Sequence, residues 1–432
     1  MVNPIRYILK KYFFVTPLFY SYGNAAEEIL WAAARARLLG SKLVIIAPAR
    51  YTQILGYNIC NSELYNLEFN YQFNTFELLL KHIVSFVVNF IFFIKRLFAL
   101  ILKKYFKITL PEHYYFPQIG RYSYWPAHNI NNGGLKQYEQ DLIINELSSM
   151  PAPTINLSKK TEEVNKFQEL MTQINSKYIC LHVRDQGFHG DSKKRSYRNA
   201  DINNYIPMIK MLINKGLTVI RIGDASMQTC NLTDDKYIES YDSKYKSELI
   251  DLLLIKNCEF FIGMQSGPTE IALLFKKPVH EVNMYNWFFS IPMKPTDRGL
   301  LKKLFIPGIG EVNTLTKRFS DVPYKFTNMD IKLSDDEITF IENTPFEILE
   351  ATKEFYLDYM SGFNRQPNEA LVSNKELYKL FADGVLNSFI LNTTEPIVPI
   401  ENEVHRLIYR PLISLGAFYC NSYFIEDEIT NR

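Results

Sequence analysis

Apolar and polar positions along the chain switch between two periods, and the switches divide it into elements. From residue 11, KYFFVTPLF is apolar and β-prone, SYGN is a turn, and AAEEILWAAARARLLG repeats apolar residues at helical spacing until Gly40. KLVIIAP then reads as a second buried strand. The pattern predicts one βαβ unit, with Ser21, Gly23 and Asn24 at the carboxyl end of its first strand.

Residues 76 to 106 are the most apolar long stretch. Its uninterrupted part, Ile83 to Ile94, is too short to span a bilayer, which needs roughly 20 residues. Lys95, Arg96, Lys103 and Lys104 punctuate the second half. Two readings fit: a helix lying on an anionic membrane surface through 83–107, or a helical pair packed as an insertion in the first domain. Amphipathic helices mostly face a core, so plain packing is the expectation. Residues 111 to 155, rich in Pro, Gly, Asn and Tyr, read as loops leading to a domain boundary.

Beyond them the βαβ rhythm is clearer. Strand 177–183 precedes a charged cluster, and a helix starts near Asp201, with Ile202, Tyr205, Ile206, Ile209 and Leu212 as its apolar stripe and Gly216 at its end. LTVIRIGD and KYIES follow as strands, SELIDLLLIKN as a helix, EFFIG as a strand, PTEIALLFK as a helix and PVHEVN as a strand. That alternation predicts an α/β fold with a doubly wound parallel sheet, in which ligands bind beyond the carboxyl ends of the strands. In ENTPFEILEATKEF, Thr344 can cap a helix, Pro345 suits its first position and Glu347 completes a capping box. The expected division is 1–165, carrying the apolar insertion near 76–106; 166–355; and a C-terminal helical segment, 356–432, packing back on the domains.

Composition narrows the function classes. With 432 residues, 47% of them apolar, the chain can bury more than one core. A net charge of +2, from 48 basic and 46 acidic residues, does not suggest a nucleic-acid binder. Five scattered cysteines form no C-x-x-C pair and no zinc spacing, which fits a reduced, cytoplasmic compartment. The first residues have a loose signal-peptide outline, but Pro17 breaks the apolar run and a helical pattern follows at once.

The candidate chemistry gathers at strand ends. In FFIGMQSGPTEIALLF a strand ends at Gly263, and Ser266 and Gly267 precede a helix that Pro268 opens. Leading amides and the helix dipole at such a point attract an anion, and Gly267 permits close approach. Ser266 and Thr269 could add hydrogen bonds, and Glu270 could reach a ribose or simply complement the dipole; an ordinary strand–turn–helix join looks the same. In HVRDQGFHGD, Arg184 offers a permanent forked charge for a phosphate or carboxylate, and Asp185 or His189 could serve as a general base. His182 lies within the strand and is expected to be a core or supporting residue. Lys193, Lys194 and Arg195 read as a solvated cluster, and Arg198 and Asn199 as better ligand candidates. Gly223 and Asp224 end the next strand at the same cleft edge, where Asp224 either caps a turn or meets a sugar hydroxyl. The sequence contains no phosphate-binding G-x-x-x-x-G-K-[ST] loop, no G-x-G-x-x-G after the first strand, no G-x-S-x-G elbow and no isolated D-x-D at a strand end. No metal site is therefore expected.

The set HVRD, YRN, VIRIGD, FFIGMQSGPTEIALLFKKPVHEVN and ENTPFEIL resembles a family of bacterial glycosyltransferases found with surface-polysaccharide genes. The resemblance covers roughly residues 175 to 355. HVRD is also similar to the H-x-R-x-D motif of fucosyltransferases, although Asp185 stands where that motif has a second arginine. The resemblance implies the GT-B fold: two Rossmann-like doubly wound domains facing a central cleft, with a nucleotide-diphosphate sugar as co-substrate and no separate cofactor. It further implies an acceptor, a glycan or lipid-linked molecule, on the N-terminal side, and a cytoplasmic enzyme at the inner face of the plasma membrane. A nucleotide-sugar epimerase of the same fold, or a non-catalytic nucleotide-sugar-binding scaffold, would share these features.

Overall fold

The computed structural model describes residues 11–48, 59–69, 71, 73–110, 119–120, 142–143, 146–147, 149–187, 197–242, 244–285, 294, 296–308, 310–312, 324–327, 330–333, 339–363 and 418–419. The chain divides into two compact units, one from Met1–Ser123 and Tyr138–Thr161, the other chiefly from Glu162–Arg432.

In the first unit β1 (Tyr12–Val15) and β2 (Lys42–Ile45) pair in parallel across α1 (Tyr22–Leu38), which is the expected βαβ unit with a shorter first strand. α1 is alanine-rich, so little side-chain entropy opposes it, and it is buried from Ala25 to Ala34. Gly40, at φ +62°, ends it in the left-handed region that glycine adopts without strain. Glu28 is fully buried, and one carboxylate oxygen accepts the Leu18 N–H at 2.8 Å, closing the turn beyond β1. Farther on, β3 (Leu67–Glu68) pairs antiparallel with β4 (Thr154–Ile155).

The apolar stretch is a single helix, α2 (Thr75–Phe106), not a helical pair. Asn74 and Glu77 form a capping box at its start. Glu77 also accepts from the Tyr12 hydroxyl at 3.0 Å and from Lys42 Nζ at 2.9 Å, which fixes the helix start against β1 and β2. Plain packing was the wrong expectation for most of its surface: Phe86 is 70% and Phe90 54% exposed.

The second unit opens with α3 (Thr161–Ile174) and β5 (Tyr178–Leu181). Asp201 caps a short 3-10 turn over Ile202–Tyr205, and α4 (Ile206–Asn214) follows, then β6 (Thr218–Arg221) and β7 (Tyr237–Glu239). α5 (Glu248–Asn257), β8 (Phe261–Gly263), α6 (Gly267–Leu274), β9 (Val279–Met284) and β10 (Arg298–Leu301) continue the alternation. β11 (Lys303–Ile306), β12 (Gly310–Val312) and β15 (Thr339–Ile341) form a small antiparallel sheet, and β13 (Tyr324–Thr327) and β14 (Asp330–Leu333) a hairpin. The βαβ reading did not anticipate these strands. α7 (Pro345–Met360) starts with the predicted Thr344–Glu347 capping box. Past it, Phe418–Tyr419 form a strand, β16; residues 364–417 and 420–432 of the expected C-terminal segment lie outside the described residues.

The main sheet has the order β16-β10-β9-β8-β5-β6-β7, with every described pair parallel. Alternate residues of β5 reach opposite faces. Ile179 and Leu181 join a core with Met208, Ile209 and Leu212 of α4 and Ile348 and Phe355 of α7. On the other face the Tyr178 hydroxyl donates to the Leu254 carbonyl of α5 at 3.0 Å. Helices on both faces explain why β5 and β8 read as near-continuous apolar runs rather than alternating ones, and why every residue of β6 is buried, Arg221 included.

Candidate functional site

Strand order locates the site. From β5 the chain moves to β6 and β7 on one side, then returns to β8 on the other side of β5. The reversal opens a crevice beyond the carboxyl ends of β5 and β8, the position where doubly wound sheets bind ligands. Arg184 follows β5, and Gln265, Ser266 and Gly267 follow β8.

The segment 197–200 closes back on the end of β5. The Ala200 N–H donates to the Arg184 carbonyl at 2.9 Å, and Arg184 Nη1 donates to Asn199 Oδ1 at 2.9 Å. Arg184 is only 8% exposed, so the fork is held rather than waving in solvent. Arg198 reaches the other strand end: its Nη2 donates to the Gln265 carbonyl at 3.2 Å, and its guanidinium lies 5.3 Å from the Tyr285 ring centre. Arg198 Nε is buried without a protein hydrogen-bond partner. Gln265 Oε1 in turn accepts the Tyr285 N–H at 2.9 Å.

A third cation, absent from the sequence reading, completes the group. Lys302 is 1% exposed directly after β10, and its Nζ donates to the Asn199 carbonyl. Burial pulls its ammonium down to about 8; Glu342 opposes that shift and the neighbouring Arg184 adds to it. The signal was the lysine pair in RGLLKKLF, but recognising it required assigning β10 as a strand. Arg184 and Lys302 thus both bond Asn199, and both are almost wholly withdrawn from water, while Arg198 reaches from the adjacent residue to the turn after β8.

The turn after β8 is braced from within. The Ser266 hydroxyl donates to the Met264 carbonyl at 3.1 Å, and the Thr269 hydroxyl donates to the same oxygen. Both hydroxyl protons are therefore spent on the turn and not offered outward as the sequence suggested. α6 begins at Gly267, one residue before Pro268. Gly263 is required by crowding: a Cβ there would lie 2.5 Å from Phe261 Cε1 and 2.9 Å from Thr269 Oγ1. Glu270 is turned toward the core, near enough to Glu281 to help raise that carboxyl, whose burial alone already lifts it well above the carboxylate range.

Asp185 and Asp224 both serve the loops. Asp185 Oδ1 accepts the Gly187 N–H at 2.9 Å and Oδ2 accepts the Gln228 N–H at 2.6 Å, with Arg221 Nη2 at 3.9 Å. Asp224 Oδ1 accepts the Ser226 N–H at 2.8 Å, the turn role. Gly223 packs against Met227, and its carbonyl accepts Lys246 Nζ at 2.6 Å. His182 is neutral near pH 7: burial draws it down to about 4, while its Nδ1 hydrogen-bonds the Ile222 carbonyl at 2.9 Å. His189, Lys193, Lys194 and Arg195 lie outside the described residues. Ser21, Gly23 and Asn24 belong to the first unit, half-buried at the start of α1, where Ser21 is the N-cap residue but makes no side-chain capping bond.

No family model matches the chain, and no curated protein matches it. Solved structures to which it is similar include a glycosyl transferase family 9 protein from Veillonella parvula DSM 2008, at 12% identity over 67% of this chain and 86% of that one, with a TM-score of 0.37. ADP-heptose lps heptosyltransferase II of E. coli is similar at 14% identity over 69% of this chain and 92% of that one, with a TM-score of 0.34. S. aureus MnaA, solved with UDP, is similar at 13% identity over 63% and 79%, with a TM-score of 0.26.

Proposed function

We propose that this chain is a metal-independent glycosyltransferase of the GT-B type. It would move a sugar from a nucleotide-diphosphate sugar to a glycan or glycolipid acceptor in the cytoplasmic stage of bacterial surface-polysaccharide synthesis. The observation that supports this reading is that Arg184 and Lys302 both bond Asn199 while the adjacent Arg198 bonds the turn after β8, which brings three cations to the segment beside the sheet's reversal point. Three cations in a mostly dehydrated setting suit a pyrophosphate, whose charge grows as the glycosidic bond to the donor breaks. The two arginine forks match phosphate oxygens in geometry as well as charge, and the amides at the start of α6 add to the field.

Ser266 and Thr269 are assigned to shaping the turn, Gly267 to presenting its amide and Pro268, which has no N–H, to fixing the helix start. Asn199 holds Arg184 and receives Lys302, so it positions two cations at once. Of the two base candidates, Asp185 already has both oxygens engaged by backbone N–H groups of the loops, which ties it to a structural role. His189 is therefore the base we assign. Ser21, Gly23 and Asn24 are proposed for the acceptor side.

Thermal-shift measurement of the full chain against nucleoside mono- and diphosphates and nucleotide sugars tests the reading, because a bound ligand raises stability by mass action. Selective stabilisation by diphosphates in wild type, lost in Arg198→Ala, is expected; an equal response to every compound, or to none, would overturn it. Incubating a stabilising nucleotide sugar with no acceptor comes next. Conversion of the sugar under those conditions would identify an epimerase, and tight binding without turnover on any acceptor would identify a scaffold.

A further inference from the structure

Helix α2 has one side packed against the first unit and one side bare. Glu77, Asn89, Phe92 and Ala99 are buried, at spacings that place them on one side. Ile83, Phe86, Phe90, Ile94, Leu97 and Ile101 recur every three or four residues on the other, each at least 41% exposed. At about 1.5 Å per residue the helix is about 48 Å long, so the bare strip is far larger than the scattered apolar exposure normal on a protein surface.

The buried face is fastened at points well separated along the helix. Glu77 is held by Tyr12, Lys42 and Lys11; the Asn89 amide donates to the Ala47 carbonyl at 3.0 Å; and the Phe92 ring meets Phe19 edge-on at 6.2 Å. By length and composition alone α2 is apolar enough to cross a bilayer. Crossing would pull Glu77 away from Tyr12, Lys11 and Lys42. It would also take Asn89, at mid-helix, from the Ala47 carbonyl into hydrocarbon with only its own-helix Ser85 contact left. Lost polar contacts of this kind are costly in a bilayer. Lying flat leaves both bonded.

Charge selects the occupant. The only acidic residue of α2 is the buried Glu77, whereas Lys95, Lys103 and Lys104, and Lys107 just beyond, are exposed. Lys104 Nζ sits 5.2 Å from the ring centre of the exposed Tyr105, an aromatic and a cation together at one end. An apolar strip flanked by uncompensated cations is the pattern of a helix lying in the headgroup boundary of an anionic membrane.

We infer that α2 docks this protein in the plane of an anionic phospholipid bilayer, with the Ile83–Ile101 strip inserted among the acyl chains and the first unit resting on the cytosolic side of the helix. This holds whether or not the chain transfers sugar.

The test is flotation of the full chain with phosphatidylcholine vesicles, with and without phosphatidylglycerol. Wild type should float with the anionic vesicles and be partly released by salt. Phe86→Asn, Phe90→Asn and Ile94→Asn combined should lower the bound fraction about tenfold or more, at unchanged far-UV circular dichroism. Should that variant misfold, Lys103→Gln, Lys104→Gln and Lys107→Gln combined should lose the preference for phosphatidylglycerol while staying folded. Wild type that floats with neither vesicle, or apolar and lysine variants that both float as wild type does, would overturn the inference. So would a vesicle-indifferent dimer that dissociates in the apolar variant, because the strip would then cover a second copy of the chain.

Discussion

Arg198 Nη2 and the Gln265 carbonyl lie 3.2 Å apart, joining the segment that returns onto β5 to the turn that leaves β8. These two strand ends flank the reversal of the sheet, so the bond adds a side-chain link, beyond the β5–β8 ladder, between the two walls of the proposed diphosphate site.

Replacing Arg184 by Ala should reduce sugar transfer about 100- to 1,000-fold, the scale seen when a preorganised charge-stabilising donor is lost. Arg184→Lys should recover only part of it, because the ammonium keeps the charge but not the fork. Steady-state kinetics on both variants check this, with normal turnover in Arg184→Ala excluding the role.

Lys302 gives the binding a pH dependence of known sign. Its ammonium loses its proton near 8, so diphosphate affinity should be flat below that pH and fall as pH rises through it. Lys302→Met should weaken binding about tenfold at neutral pH and abolish the fall. The same variant should be more stable without ligand, because a buried charge that costs free energy has been removed. Calorimetric titration with a nucleoside diphosphate at several pH values reads all three.

Asp185 and His189 should separate stability from chemistry. Asp185→Ala removes the acceptor for two loop amides and should destabilise the second unit by about 2 kcal/mol. His189→Asn should leave unfolding unchanged and lower turnover about 100-fold or more. The reverse pattern would exchange the two assignments. Chemical denaturation and initial rates on the two variants decide it.

Glu77 predicts acid sensitivity of the first unit. Lys42 foremost, then the Asn74 N–H, holds its carboxyl down to about 2 against an ordinary 4.5. A depressed folded value stabilises the protein above the ordinary one, and that stabilisation is lost as pH falls from 4.5 toward 2. Glu77→Gln should flatten this part of the stability profile and lower stability at neutral pH, measured by urea unfolding across pH.

Gly263→Ala should cost about 2 kcal/mol by overpacking, since the added methyl meets Phe261 and Thr269 and displaces the start of α6. Weaker nucleotide binding should accompany the lost stability. A variant as stable as wild type would show that the turn is looser than its packing implies.

Much of the second unit was legible because local chemistry and tertiary role agree there. Thr344, Pro345 and Glu347 specify their helix start by side chain alone, and α7 begins there. The apolar runs of β5 and β8 announce strands buried on both faces. Ser266 and Thr269 were found as residues of the turn, but the direction of their hydroxyls depends on where the Met264 carbonyl lies, which spacing does not encode. Lys302 was missed because a lysine after an apolar run looks solvated until the neighbouring strands bury it.

By itself the sequence determined the alternation of strands and helices, the caps and turn residues, and the clustering of charge at strand ends, all of which follow from periodicity and side-chain chemistry over a few residues. Tertiary structure alone decided the strand order, and with it the gathering of Arg184, Arg198 and Lys302 on the segment that closes over the end of β5. It also decided that the side of α2 bearing Glu77, Asn89, Phe92 and Ala99 is buried and the Ile83–Ile101 strip is bare. An amphipathic pattern states that two faces differ; which face meets protein depends on the partners that Tyr12, Lys42 and Ala47 supply from elsewhere in the chain.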